Sequence, residues 1–315
     1  MLVKSCHESP ISYQCPACNR GVSTVRYVYS VGEKQSDILF CHECGMMFAR
    51  PVPISLLAER QMDSVIDAEL FHNSLLKKLH RNFVVKREID RVKRLLGRER
   101  FSMLDIGCGT GWTTHIWQEE GAEATGLEPS PTRGKIASER YGFRVIPCYV
   151  EDLADDEMFD VIVMRHVLEH FADPYQVLTK VRGHLKEGGL LVIIVPNIDC
   201  IGRYLFGTKW SWILPWHCNF FTPSSIFRIA ERACFTPCTV YQTPSPLWYP
   251  RSFIQMLPGK DTLRRKIYGR LSSLVFIPFA PIVAAGLLTG HSDNLTLIAR
   301  VAQDNAGLSV LEMQA

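Results

Sequence analysis

Leu104-Asp105-Ile106-Gly107-Cys108-Gly109-Thr110-Gly111 closes an apolar, strand-like run and leads into a helical pattern that begins near Trp112. The glycines let the backbone turn sharply and let a ligand come close to it. A helix starting straight afterwards offers free amide donors and a positive partial charge. The stretch therefore reads as a strand-to-helix turn that holds a small anionic group. Further on, Glu128 ends a second strand-like run, where a carboxylate can accept both hydroxyls of a ribose. A nicotinamide-binding domain shares that logic, but the spacing here is G-x-G-x-G and lacks the third glycine of G-x-G-x-x-G at the required place.

Strand signals at 102–106, 124–128, 144–147, 159–164 and 190–195 alternate with helical ones. Such alternation predicts an α/β fold with helices on both faces of a doubly wound, mostly parallel sheet. A helix is expected at 224–233, and strands at 238–242 and 295–301 bring the sheet to seven.

Upstream, Cys15-Pro16-Ala17-Cys18 and Cys41-His42-Glu43-Cys44-Gly45 bracket two short strand-like runs, 22–29 and 37–40. Two C-x-x-C pairs supply four thiolates, a closed tetrahedral set for a structural Zn2+, so Cys15, Cys18, Cys41 and Cys44 are the expected metal ligands, ahead of Cys6 and His42. The expected division is a zinc ribbon at 1–53, a helical linker at 54–100 and the α/β domain at 101–315. In the linker, Leu75, Leu79, Val85, Ile89, Val92 and Leu96 mark one or two helices covering an edge of that domain.

The chain has 315 residues, 47% of them apolar, which is ample for a packed core. A formal charge of +3 gives no electrostatic case for nucleic acid as a partner. The cysteine pairing and the lack of an apolar leader in residues 1–10 favour a reducing, cytoplasmic setting. Before the last strand lies an insert at about 250–292. There Lys260, Arg264, Arg265, Lys266 and Arg270 precede a stretch, 271–290, without a charged side chain. Pro278 and Pro281 interrupt it, and the strands on either side return to one sheet, which argues against a bilayer crossing. Peripheral membrane contact through 260–290, a lid over the acceptor site and buried core helices are the three readings.

The motif order then resembles that of the class I S-adenosylmethionine-dependent methyltransferases. Leu104 to Gly111 match their first motif, Glu128 the second, Asp152-Leu153 the third, and Phe159-Asp160-Val161-Ile162 their fourth strand. The resemblance implies S-adenosyl-L-methionine as cofactor, held by Asp105, Gly107, Cys108, Gly109, Gly111, Glu128, Pro129, Asp152, Leu153 and Arg165. The stretch from Phe159 to Pro174 is similar to that of the ubiquinone-biosynthesis O-methyltransferases. The ribbon with Pro51-Val52-Pro53 is similar to bacterial methyltransferases of sugar and surface-polysaccharide pathways. A small or lipid-linked acceptor follows from these likenesses, with an RNA methyltransferase or a non-catalytic binding subunit as rivals.

Candidate bases sit at the carboxyl ends of the strands. His166, Glu169 and His170 are spaced i, i+3, i+4, as on one face of a helix, and could serve as a base or hold a divalent metal. His217 lies in an aromatic loop with Trp210, Trp212, Trp216, Phe220 and Phe221, an expected cover for the acceptor.

Overall fold

The computed structural model describes residues 2–31, 34–52, 75–214, 216–245, 248–257 and 277–302. Before the α/β domain, β1 (Leu2–Gln14), β2 (Gly21–Val31), β3 (Lys34–Phe40) and β4 (Met47–Arg50) form an antiparallel meander. The expected pairing of the two runs between the cysteine pairs is the β2–β3 hairpin. Strand β1 was not expected, because its apolar residues are interspersed with Lys4, His7, Glu8 and Pro10. Helix α1 (Leu75–Leu96) follows.

The domain itself runs β5 (Phe101–Ile106), α2 (Trp112–Glu119), β6 (Ala122–Leu127), α3 (Pro131–Tyr141), β7 (Arg144–Ile146), β8 (Phe159–Arg165), α4 (Pro174–Arg182) and β9 (Leu185–Pro196). It continues with α5 (Ile201–Phe206), β10 (Asn219–Phe220), α6 (Pro223–Arg232), β11 (Phe235–Thr243), α7 (Trp248–Met256), α8 (Ala280–Thr289) and β12 (Asn294–Val301). Seven strands form the main sheet in the order β11-β12-β9-β8-β5-β6-β7, with only β12 antiparallel to its neighbours. Val161 to Met164 and Leu190 to Val195 are almost fully buried. Their unbroken apolar runs suit strands covered by helices on both faces. The chain goes from β5 to β6 on one side and to β8 on the other, so a crevice opens at the carboxyl ends of β5 and β8.

Helix α1 lies on a face of this sheet rather than along an edge. Val85, Ile89 and Val92 pack with Phe101, Met103, Trp117 and Val192. The single apolar stripe of α1 needs a broad apolar partner, and the sheet face provides one. Of the expected linker, 54–74 lie outside the described residues.

The ribbon is joined to the domain by hydrogen bonds and by a common core. Strand β10, taken from the aromatic loop, pairs with β4 (Asn219 with Phe48, Phe220 with Met47), which makes the small sheet five-stranded. The Thr222 hydroxyl donates to the Cys44 carbonyl at 2.7 Å, and Arg232 donates to the Pro16 carbonyl at 2.7 Å. Cys15, Leu39, Cys41, Cys44 and Phe48 share a core with Phe221, Ile226 and Ile229.

Gly111 is the tightest point of the glycine turn. Its φ is +82°, and a Cβ there would sit 2.6 Å from the Phe143 ring and 2.8 Å from the Ala137 methyl. Gly111→Ala is expected to lower stability by about 2–4 kcal/mol, combining a left-handed backbone with overpacking. Denaturant titration checks this, and a loss under 1 kcal/mol would show that the turn relaxes freely.

Candidate functional site

The glycine turn wraps around Glu128. Strand β6 ends at Leu127, and the Glu128 side chain turns inward, only 2% exposed. One carboxylate oxygen accepts the Gly109 amide at 3.0 Å; the other accepts the Ser130 amide at 2.9 Å and the Arg133 guanidinium at 2.8 and 3.1 Å. A Cβ on Gly107 would strike Val167 at 2.6 Å, whereas one on Gly109 would meet nothing within 4 Å. Gly107 and Gly111 are thus filled in by the protein, and Gly109 faces open space. Cys108 lies against Gly126, and Pro129 is half-buried beside Glu128.

Asp105 is buried under the same turn and accepts the Thr114 hydroxyl at 2.6 Å. Burial pushes its carboxyl up to about 6. Arg165, at the end of β8, is paired at 2.5 Å with Glu88 of α1, a carboxyl buried at 2% exposure and itself pushed up by burial. Helix α1 therefore contributes a charged group beneath the crevice. Beyond β7 a single 3-10 turn ends at Asp152, whose side chain is exposed, while Leu153 is buried in the main core.

The expected helical face at His166, Glu169 and His170 is not what forms. His166 has φ +54°, Leu168–His170 make one 3-10 turn, and α4 starts afresh at Pro174, where Asp173 accepts the Tyr175 and Gln176 amides. A proline at the first position and an aspartate cap start a new helix, so the spacing before them never becomes α-helical. The residues still converge. The His166 ring stacks on Trp212 at 4.7 Å, and its Nδ1 lies 3.7 Å from the buried Glu169 carboxylate. Neither Glu169 oxygen accepts a hydrogen bond. Although burial pushes Glu169 up, the neighbouring His166 and His170 outweigh it and hold the carboxyl below its ordinary value.

His217 completes this cluster from the aromatic loop. The rings of His170 and His217 are 4.7 Å apart, His170 Nδ1 lies 3.1 Å from the Trp216 carbonyl, and the Cys218 amide donates to the Glu169 carbonyl at 2.8 Å. Ligand atoms of Glu169, His170 and His217 lie within 4.8 Å of one another. Among the described residues, the expected trio of His166, Glu169 and His170 is not one of the groups that meet this distance, and His217 stands where His166 was expected. Trp212 also packs on Trp248 of α7 at 4.1 Å, which ties the cluster to the insert.

In the ribbon, the sulfurs of Cys15, Cys18, Cys41 and Cys44 all lie within 4.8 Å of one another, at 3.6 Å for Cys15–Cys44 and 3.5 Å for Cys18–Cys41. Four thiolates around Zn2+ at about 2.3 Å would stand about 3.8 Å apart, so the set fits that ion. Each pair sits in the same kind of turn, closed by the Asn19 amide on the Cys15 carbonyl and the Gly45 amide on the Cys41 carbonyl. Asn19 and Gly45 adopt the left-handed conformation that such a turn requires.

Glu88 and Arg133 were not singled out from the sequence, and Trp212 was expected only as part of the aromatic loop. Arg133 sits five residues after Glu128 in the first turn of a helix and could have been found from that spacing. Nothing local marks Glu88, and nothing local shows that Trp212, of the loop's aromatic residues, is the one that stacks on His166.

The strand order, with a final antiparallel strand inserted beside β9, and the glycine turn facing an acidic strand end are those of the class I S-adenosylmethionine-dependent methyltransferases. Residues 78–239 match the family described as "Methyltransferase domain", and the chain belongs to that family. It is similar to a ubiquinone biosynthesis O-methyltransferase of Cereibacter sphaeroides, 31% identical over 43% of this chain and 60% of that protein. It also resembles a tRNA U34 carboxymethyltransferase of Shewanella frigidimarina, 31% identical over 35% of this chain and 36% of that protein. The chain thus spans about 60% of the length of the ubiquinone-pathway relatives and much less of the tRNA enzymes. Among solved structures, the fold matches Burkholderia thailandensis 1,6-didemethyltoxoflavin-N1-methyltransferase, which holds 1,6-didemethyltoxoflavin and S-adenosylhomocysteine. The TM-score is 0.51 at 16% identity, over 87% of this chain and 98% of that one.

Proposed function

We propose that this chain transfers a methyl group from S-adenosyl-L-methionine to a small or lipid-linked acceptor: a sugar, a polysaccharide precursor or a quinone-like hydroxyl. The observation that carries the reading is the inward Glu128 carboxylate beside the open face of Gly109. Gly107, Cys108, Gly109, Gly111 and the start of α2 would take the amino-acid end of the cofactor, with Asp105 and Arg165 beneath it. Glu128 and Pro129 would take the ribose, and Asp152 and Leu153 the adenine. When bound, the cofactor supplies an electrophilic methyl on a sulfonium. The protein's share is then alignment of the acceptor and exclusion of water.

The acceptor's proton is assigned to His166. Its ring is fixed by Trp212, and its Nδ1 lies 3.7 Å from the buried Glu169 carboxylate. His166→Asn is expected to lower kcat by about a hundredfold or more, with cofactor affinity unchanged. An unchanged kcat would move the role to His170 or His217. A second reading has Glu169, His170 and His217 hold a divalent ion beside the acceptor hydroxyl, supported by their shared geometry. Activity that survives removal of loosely bound metal, with the ribbon zinc retained, would eliminate it.

Two C-x-x-C pairs, read as thiolate ligands of a metal, suit a reducing, cytoplasmic setting. The decisive experiment is transfer of labelled methyl groups into cell extracts separated into lipid, polysaccharide, RNA and protein fractions. Label in lipid or polysaccharide is expected. Label confined to RNA would shift the assignment toward the tRNA-modifying relatives, and no transfer together with no heat of S-adenosylhomocysteine binding would overturn it.

A further inference from the structure

Among the described residues, the large apolar side chains left exposed are not scattered evenly. Six of the ten lie on three short helices: Tyr204 and Leu205 on α5, Phe253 and Met256 on α7, Leu287 and Leu288 on α8. The helices form one surface. Phe279, just ahead of α8, has its ring 6.2 Å from Phe206 of α5 and 6.0 Å from Phe253 of α7. At the other end of α8, Gly286 packs on His291, whose ring is 6.4 Å from Tyr204.

Helix α8 is apolar on every side, a composition expected of a buried helix. Yet Gly286 is its only buried residue, and Leu288 is 88% exposed. Ten residues span about 15 Å, and no helix among the described residues is long and apolar enough to cross a membrane. A contiguous exposed apolar surface of this kind marks a partner.

Charge identifies the partner. Residues 201–209, 248–256 and 277–290 contain no aspartate or glutamate, and their charged residues are Arg203, Lys209 and Arg251. Lys209 is exposed in a turn that packs against both α5 and α7. Arg203 is engaged by Tyr27, and Asp199, the carboxylate just ahead of α5, accepts the Tyr204 hydroxyl at 2.6 Å and lies 3.7 Å from the His291 ring. Lys209 is therefore the exposed charge of these elements. Apolar side chains beside an exposed cation complement an anionic lipid surface. We infer that α5, α7 and α8 dock the protein in plane on an anionic bilayer. Helix α7 runs from this face to Trp248, which packs on Trp212 beside His166. Docking therefore brings the acceptor site to within about one short helix, roughly 14 Å, of the lipid. This rests on the reading of a lipid-linked acceptor.

The test is co-sedimentation of the zinc-loaded full chain with vesicles of equal phosphatidylglycerol and phosphatidylcholine, against phosphatidylcholine alone. The wild type is expected to favour the anionic vesicles, more so at low salt. Leu287→Ser with Leu288→Ser, both solvent-facing, is expected to cut the partition about tenfold, and Lys209→Glu about fivefold. No binding to either vesicle, or binding that neither variant changes, would overturn the inference. So would a wild-type dimer that the double leucine variant dissociates, since the face would then cover a second copy. Calorimetry with S-adenosylhomocysteine on the same samples separates the two readings: heat of binding without vesicle binding removes the docking face alone, and vesicle binding without heat removes the methyltransferase reading alone.

Discussion

Replacing Glu128 with alanine is expected to weaken S-adenosylhomocysteine binding by about a hundredfold or more. Hydrogen bonds to a charged group are worth about 1.5–3 kcal/mol each, and a ribose offers two hydroxyls to this one carboxylate. The loss is larger than in an open site because Glu128 is almost fully buried and Arg133 would be left without its carboxylate. Glu128→Gln keeps the shape and removes the charge, so it should fall between the wild type and Glu128→Ala. Gly109→Ala supplies the control for geometry. Its Cβ meets no protein atom within 4 Å, but its φ of +58° strains any side chain. A melt measured beside the affinity separates that backbone cost from the effect of a methyl in the space assigned to the cofactor. Calorimetry measures all three, and affinities within threefold of wild type would mean that the cofactor does not lie between Gly109 and Glu128.

Affinity should also depend on acid. Asp105 is pushed up to about 6 by burial, so it is ionised at neutral pH and becomes protonated as the pH falls through that value. A carboxylate under the amino-acid end of a cationic ligand favours binding only when charged. Binding should therefore weaken below about pH 6, and Asp105→Asn should flatten the dependence.

The second large effect concerns the ribbon. Removing zinc with a strong chelator, or substituting Cys44→Ser, is expected to lower the melting temperature by about 10 °C or more and to abolish methyl transfer. The Cys44 carbonyl receives the Thr222 hydroxyl, and β4 carries β10, so a zinc ion held by the four cysteines would fix the loop that bears His217. Cofactor binding should persist, because Glu128, Asp105 and the glycine turn lie on other strands. One zinc per chain by elemental analysis, lost together with activity, is the expected result. Full activity and an unshifted melt in metal-free protein would show that the ribbon does not support the loop.

The glycine turn, the acidic end of β6 and the cysteine cluster were legible because their signals are local. A glycine turn between a strand and a helix, an acidic strand end and two cysteine pairs each depend on backbone conformation or ligand chemistry within a few residues. The stretch after β8 shows where local reading stops. The spacing of His166, Glu169 and His170 suggested one helical face, but Asp173-Pro174 starts a new helix and leaves only a 3-10 turn before it.

Periodicity and turn chemistry, which act over short distances, made the α/β fold, the succession of its strands along the chain and the two cysteine pairs readable from the sequence alone, and the likeness of its motifs pointed to the methyltransferase class. Tertiary packing decided that Glu88 meets Arg165 across 77 residues, that Trp212 seats His166, and that a two-residue strand of the aromatic loop completes the ribbon sheet. Those contacts join residues far apart in the chain, and they form only once the sheet and its helices have buried a common core.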